Sequence, residues 1–426
     1  MPDPAADRSW YAATAHAAPP SAALEGAAEC DVCIVGAGYT GLSAALHLAG
    51  RGYRVAVLEQ GAIGAGASGR NGGQLGSGLR REQPWLERRL GEQPARLLWD
   101  LCEQAKSTVR DLVAAHRIDC DLKPGLLHAG HWPRHAAAEQ RYAEWLRRRY
   151  GYEAIRPLTR DELRAALDSP GYHGGSLDLG AGHLHPLNYL IGLAHAAAAA
   201  GVRLYTHTRA LGWSGGDRVR VRCAHGEVSA GALVLACNGY LGDLEPRIAG
   251  RIMPINNFIV ATEPLGDARA RALIRDDAAV ADSRFVINYF RLSSDRRLLF
   301  GGGENYSSRF PADIAAFVRP RLERIFPQLR GVRIDYGWGG TLAITMTRLP
   351  DIGRLAGNVL YAQGYSGHGV ALATFTGKVI AEALAGTLER FDLLAHLPTP
   401  MFPGGRWLRQ PLQVLGMTWY ALRDRL

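Results

Sequence analysis

Gly36, Gly38 and Gly41 stand in a G-x-G-x-x-G spacing within ECDVCIVGAGYTGLSAALHLAGRGYRVAVLEQG (29–61). The first glycine allows a tight turn, the second lets a pyrophosphate approach the backbone, and the third lets a helix pack closely on a strand. Phosphates then meet unpaired N–H groups and the positive end of the helix dipole. Glu59 lies roughly 20 residues further on, where a carboxylate would bond a ribose hydroxyl. Such an acid disfavours a phosphorylated ribose, so the pattern predicts an adenine dinucleotide other than NADP. Tyr39, Thr40 and Gln60 flank these positions and belong to the same predicted site.

A second glycine-rich stretch, GAIGAGASGRNGGQLGSG (61–78), surrounds Ser68, Arg70, Asn71, Gly72, Gly73 and Gln74. A long flexible loop would explain the glycines but not the hydrogen-bond donors among them. A loop that runs past a second large planar ligand explains both. His183 and His185, in GHLHP, alternate as on a strand and lack the further acid or cysteine that a metal site needs, so no metal is expected.

The elements that must hold these residues are legible in outline. Strand, glycine turn, helix and strand follow one another over 29–61. Helical patterns cover 86–116 and 134–150, with a strand-like run at 120–130 between them. Nucleotide-domain character returns with a helix at 187–201 and a strand at 202–207, and strand-like runs dominate 253–303. The expected fold is therefore α/β with a second domain inserted into the first, and 426 residues suffice for two or three packed cores.

Composition narrows the classes further. The formal net charge is +9, but all lysines are Lys106, Lys123 and Lys378, and the arginine-rich stretches at 79–96 and 145–151 interleave acids and apolar residues as solvated helix faces do. Nucleic-acid binding is not expected. Six scattered cysteines without a secretory leader point to a reduced cytoplasm and free thiols. Cys30 and Cys33 fall inside an apolar run and read as strand residues. The first 27 residues read as an extended arm, and the apolar stretch near the C-terminus is too short to span a bilayer and reads as a terminal helix.

Five segments in order, VGAGYTGLSAALHLAGRGYRVAVLE, GASGRNGGQ, ALVLACNGYLG (232–242), WGGTLAITMTRLPDIG (338–353) and GYSGHGVALATFTGKVIAEAL (364–384), resemble the D-amino-acid-oxidase superfamily of FAD-dependent amine and amino-acid oxidases. SWYAATA, AGHLHPLNY (181–189), ATEPLGD (261–267) and YFRLSSDRRLLFGGG (289–303) resemble the gamma-glutamylputrescine oxidases within it. The resemblance implies a doubly wound FAD-binding domain of Rossmann type, interleaved with a substrate domain on a mostly antiparallel sheet. It divides the chain into an arm (1–27), FAD-binding segments (28–85, 155–245, 336–392), substrate-domain segments (86–154, 246–335) and a C-terminal segment with a helix (393–426).

The resemblance also implies further flavin contacts at Cys237, Asn238 and Gly239, at Trp338, and at Gly364, Tyr365, Ser366, Gly367, His368 and Gly369, where a helix N-terminus would face the flavin. His368 and Tyr289 are the candidates for a catalytic side chain; Tyr289, Arg291, Trp338 and Leu342 are the candidates for the substrate pocket. With no cysteine after Cys237 and no histidine in GASGRNGGQ, FAD is expected to be non-covalent.

The chemistry implied is hydride transfer from a neutral amine to FAD. The imine then hydrolyses to aldehyde plus amine, and oxygen is reduced to hydrogen peroxide. In relatives that oxidise glycine or D-amino acids, an arginine grips the substrate carboxylate. In ungapped register from Trp338 to Gly353 that position is Leu342, which points to an amine such as gamma-glutamylputrescine unless Arg291 supplies the charge. Three alternatives stay open. One is a sarcosine, pipecolate or D-amino-acid oxidase. Another is a dehydrogenase with a different acceptor, since the strand RRLLFGGG lacks a lysine that speeds oxygen reaction in some relatives. The third is a flavin-binding electron-relay or structural subunit. Oligomeric state is left open.

Overall fold

The computed structural model describes residues 9–305 and 309–405. The apolar run CDVCIVGAG belongs to the strand Gly26–Val35, the centre of an eight-stranded sheet. Its neighbours Val55–Leu58 and Gly226–Leu235 are both parallel to it. Arg203–Tyr205 and Val359–Gln363 extend the parallel order outward on either side, and Asp351–Ala356 closes one edge antiparallel. Val32 and Ile34 enter one core while Cys30 and Cys33 enter the core on the other face. A strand buried on both faces reads as an unbroken apolar run for this reason. The helices Tyr39–Ala49, Glu92–Ala115, Pro186–Ala199 and Gly369–Leu384 all contribute to the first of these cores.

The second sheet has nine strands, mostly antiparallel. Met253–Thr262 pairs with both Leu298–Asn305 and Ile334–Ile344. Alternation along these strands sorts their side chains: Phe258 and Phe290 pack beneath the helix Ile314–Ile325, whereas Asn257 and Tyr289 face the other way, into a cavity.

Sheet membership differs from the predicted segment boundaries. Ile155–Leu158, Gly175–His183 and Ile334–Ile344 all lie in the second sheet, although 155–245 and 336–392 were assigned to the FAD-binding segments. Conversely, Glu92–Ala115 packs into the first core, although 86–154 was assigned to the substrate domain. Pairings such as Leu126 with Asp178 join residues far apart in sequence, and local patterning carries no record of them.

The N-terminal arm is also not simply extended. Ser9 caps the short helix Trp10–Ala13, its Oγ accepting from the Ala12 N–H at 2.9 Å, and the Trp10 and Tyr11 rings are buried among Trp338, Ile259 and Leu299. The terminal helix expected near the C-terminus falls at 406–426, outside the described residues.

Candidate functional site

The glycine turn after Gly26–Val35 leaves no room for side chains. A Cβ on Gly36, whose φ is 109°, would lie 2.7 Å from the Ala236 carbonyl oxygen. One on Gly41 would lie 1.9 Å from the Gly36 oxygen, so the third glycine closes helix onto turn and does not itself line the groove. Gly38 precedes the helix Tyr39–Ala49, which has no side-chain cap hydrogen bond; the Tyr39 N–H donates to Ser68 Oγ at 3.1 Å. Glu59 accepts from the Ala37 and Gly61 N–H groups, both at 3.0 Å, and burial pushes its carboxyl above the usual range. Together with Gln60 and Cys237 these residues line a groove of about 200 Å³.

The groove continues into a larger cavity of about 430 Å³; Gly38, Ala67, Ser68, Ala236 and Asn238 line both. Tyr39, Thr40, Arg70, Asn71, Gly72 and Gln74 form part of the cavity wall. Gly340 and Leu342 form another part, and Tyr365, Ser366, Gly367, His368 and Gly369 a third, at the start of the helix Gly369–Leu384. That helix also lacks a side-chain cap, so its first N–H groups are available to an acceptor. An elongated pair of cavities with glycine turns and two uncapped helix starts fits a dinucleotide whose phosphates lie near Gly38 and whose ring system lies in the larger space.

Several side-chain donors of the 61–78 loop bond to protein carbonyls. Asn71 Nδ2 donates to the Ala67 and Ser68 carbonyls at 3.1 and 3.0 Å, and its Oδ1 accepts from the Gly73 N–H at 2.8 Å. Gln74 Nε2 donates to Val280 O at 2.8 Å, and Arg70 Nε to Ala65 O at 2.8 Å. The loop is built rather than flexible.

Three predicted contacts shape walls without lining them. A Cβ on Gly73 would lie 2.1 Å from Leu184 O, on Gly239 3.0 Å from Thr341 O, and on Gly364 2.5 Å from Thr345 Cγ2. The Gly364 N–H donates to Asn238 Oδ1 at 2.9 Å, tying two of these segments together. Cys237 is a packing residue: its thiol is pushed up to about 12 by burial and lies 3.5 Å from the Val35 oxygen.

Of the four pocket candidates, Tyr289 and Leu342 line the cavity, and Trp338 and Arg291 do not. Trp338 shares a strand face with Gly340 and Leu342, but Tyr11 packs edge-on against its ring at 5.0 Å and its Nε1 donates to Arg70 O at 3.1 Å. Arg291 is buried and reaches under the loop: Nε donates to Gly72 O at 3.1 Å, one terminal nitrogen to Leu292 O at 3.2 Å, and the other to Tyr11 OH at 3.4 Å. It braces the cavity floor through Gly72. Tyr289 donates to Asn257 Oδ1 at 2.5 Å, and its ring lies against Gly72 and Gly301.

His368 lines the cavity with Nδ1 3.3 Å from Gly78 O, a carbonyl that can only accept, so Nδ1 carries a proton. Burial, reinforced by the charge of Arg80, pushes the ring down to about 4 and keeps it neutral near pH 7. His183 and His185 are structural. His183 Nε2 lies 2.6 Å from Asp277 O, and His185 caps the helix Pro186–Ala199 with Nδ1 accepting from the Asn188 N–H at 3.1 Å. Among the described residues no cluster of three or more His, Cys, Asp or Glu could hold a metal.

Sequence reasoning missed the far wall: Arg80, His128, Glu139, Arg284, Phe285 and Arg348. The one local signal lay in DSRFVIN, where buried Asp282 pairs with Arg284 and accepts from the Asn288 N–H at 2.9 Å and its side-chain amide at 2.8 Å, folding 282–288 into a compact loop.

Comparison with known proteins agrees with this geometry. A family model for FAD dependent oxidoreductases (DAO) matches residues 31–383. The chain is 43% identical over 420 residues to the gamma-glutamylputrescine oxidoreductase of Escherichia coli (strain K12), covering 98% of each protein. It is 42% identical over 418 residues to a probable oxidoreductase, OrdL, of Rhizobium meliloti (strain 1021), covering 98% of this chain and 97% of the relative. The fold matches the crystal structure of glycine oxidase from Geobacillus kaustophilus with a TM-score of 0.72 at 23% identity, covering 87% of this chain and 100% of that one. The chain therefore belongs to the DAO family of FAD-dependent oxidoreductases, and its cofactor is FAD.

Proposed function

We propose that this enzyme oxidises the C–N bond of an N-acylated diamine of the gamma-glutamylputrescine type, using non-covalent FAD. The observation that carries the reading is Leu342. It stands in the cavity wall, at the position where ungapped register with relatives that bind an α-amino acid puts an arginine, and Arg291, the replacement the sequence offers, is turned under the loop and spent on carbonyls. A reacting end without a carboxylate fits such a wall. The name of the Escherichia coli relative, gamma-glutamylputrescine oxidoreductase, supports the same substrate class.

FAD, held by the Gly38 turn, Glu59 and the loop around Gly72, supplies the hydride acceptor. The chain's own residues position the amine and keep out water. Tyr289, fixed by Asn257, and Leu342 wall the space in which the reacting carbon must lie. Burial weakens the basicity of the His368 ring, which makes it a poor acceptor for the amine's proton, and that proton is lost before binding. No cysteine lines the larger cavity among the described residues, which supports non-covalent attachment. No helix of the described residues is long and apolar enough to cross a membrane, and a cytoplasmic location fits the free cysteines.

Oxygen is the proposed acceptor. The absence of lysine from the cavity lining favours a second reading, in which another carrier accepts the electrons faster. Acid precipitation should release all flavin into the supernatant. Incubation with putrescine, its gamma-glutamyl and acetyl derivatives, sarcosine, pipecolate and D-amino acids, followed by mass spectrometry of products, should give an aldehyde chiefly from gamma-glutamylputrescine. Preferred turnover of sarcosine or a D-amino acid would overturn the proposal.

A further inference from the structure

Glu139 lies in the helix Pro133–Tyr150 and contributes to the lining of the larger cavity. It makes no hydrogen bond or ion pair with any described residue. A carboxylate turned toward a cavity without a cation beside it is poorly compensated, and here the imbalance is doubled. Glu82 stands close by, its carboxyl pushed up by burial first and by the charge of Glu139 second. The acid of the neighbouring loop is in a different situation: Asp282 is neutralised by Arg284 within the protein. Among the described residues, Glu139 is therefore the acid of the cavity lining without a counter-ion.

The same cavity is lined by cations on other segments. Arg80 comes from the loop that follows Gln74–Leu75, and its charge is felt at His368. Arg348 comes from the turn between Ile334–Ile344 and Asp351–Ala356, with its guanidinium 5.4 Å over the Phe285 ring. An aromatic face beneath a guanidinium holds the group's plane. One acid and two arginines, brought to one cavity by three separate segments, make a surface complementary to a zwitterion.

We propose that Glu139 is the counter-ion for the ammonium, and Arg80 with Arg348 for the carboxylate, of an amino-acid head group joined through an amide to the amine that is oxidised. The inference rests on the proposed function and deepens it: the site selects the acyl group of the N-acylated diamine, away from the reacting carbon. Its chemical prediction is specific to each charge. Removing the ammonium from the substrate should matter only while Glu139 is present, and removing the carboxylate only while the arginines are.

The test measures kcat/KM on the FAD-loaded enzyme with gamma-glutamylputrescine, its glutaryl analogue lacking the amino group, its 4-aminobutanoyl analogue lacking the carboxylate, and N-acetylputrescine. For Glu139→Gln, the preference for the gamma-glutamyl over the glutaryl substrate should fall on the order of tenfold, in KM and not in kcat. For the double variant R80Q/R348Q, the preference for the gamma-glutamyl over the 4-aminobutanoyl substrate should fall similarly. Equal losses on all four substrates would mean a structural role and overturn the assignment, as would a wild-type enzyme indifferent to the head group. If none of the four is oxidised, the proposed function itself fails. If all are oxidised without discrimination, only this assignment does.

Discussion

The dinucleotide groove and the larger cavity are lined by residues of the same chain and meet at Gly38, yet they are built on different principles. The groove is a product of backbone. Gly36 and Gly41 are required because carbonyl oxygens occupy the space of their side chains, and Glu59 is held by two backbone N–H groups. The cavity is a product of side chains brought from the second sheet, three helices and several loops. A site made of backbone shows which residue types it requires, whereas a site made of side chains depends on where each one turns.

That contrast can be broken most severely at the groove. Gly41→Ala places a methyl group 1.9 Å from the Gly36 oxygen. The strain should cost about 3 kcal/mol or more, and the protein should purify with little FAD, as its absorbance spectrum would show. Arg291→Met probes the boundary between the regions. Loss of its donors strands the Gly72 and Leu292 carbonyls, so stability should fall by about 3 kcal/mol in denaturant unfolding while substrate preference stays the same. A change in preference without a change in stability would put Arg291 back in the pocket wall.

The legibility of the sequence followed the same division. Residues 29–61 disclosed strand, turn, helix and acid because the requirements there are local, and Gly36, Gly38 and Glu59 stand where spacing placed them. Ser68 and Asn71 stand in the glycine-rich loop and line the cavity, and their hydrogen bonds with Tyr39 and Gly73 turn inward. The resemblance puts Trp338 among the candidates for the pocket. Tyr11, more than three hundred residues earlier, takes the space beside it instead. Glu139 lies on an arginine-rich helix that reads as a solvated face, and only the packing of that helix on the second sheet turns one position inward.

Smaller changes sharpen the comparison on the cavity side. Leu342→Arg restores a cation to the wall, so the kcat/KM ratio of sarcosine over gamma-glutamylputrescine should rise on the order of tenfold. An unchanged ratio would mean that Leu342 does not set the choice between amine and amino acid. His368→Gln should have the smallest effect, less than about tenfold in kcat, where loss of a general acid or base would exceed ~100-fold. Because the ring is pushed down to about 4, it is neutral throughout pH 6–9 and titrates below that range. The kcat/KM profile should therefore rise with pH as the substrate ammonium loses its proton, in wild type and variant alike. An inflection near pH 6.5 present only in wild type would assign His368 a proton-transfer role.

The most direct test of the reading that Leu342 makes this an amine oxidase, not an amino-acid oxidase, is anaerobic stopped-flow absorbance of the FAD-loaded protein. Mixed with gamma-glutamylputrescine, the flavin band near ~450 nm should bleach in a single rapid phase, and with sarcosine or a D-amino acid it should bleach at least about a hundredfold more slowly. Equal or faster bleaching by the α-amino acids would contradict it.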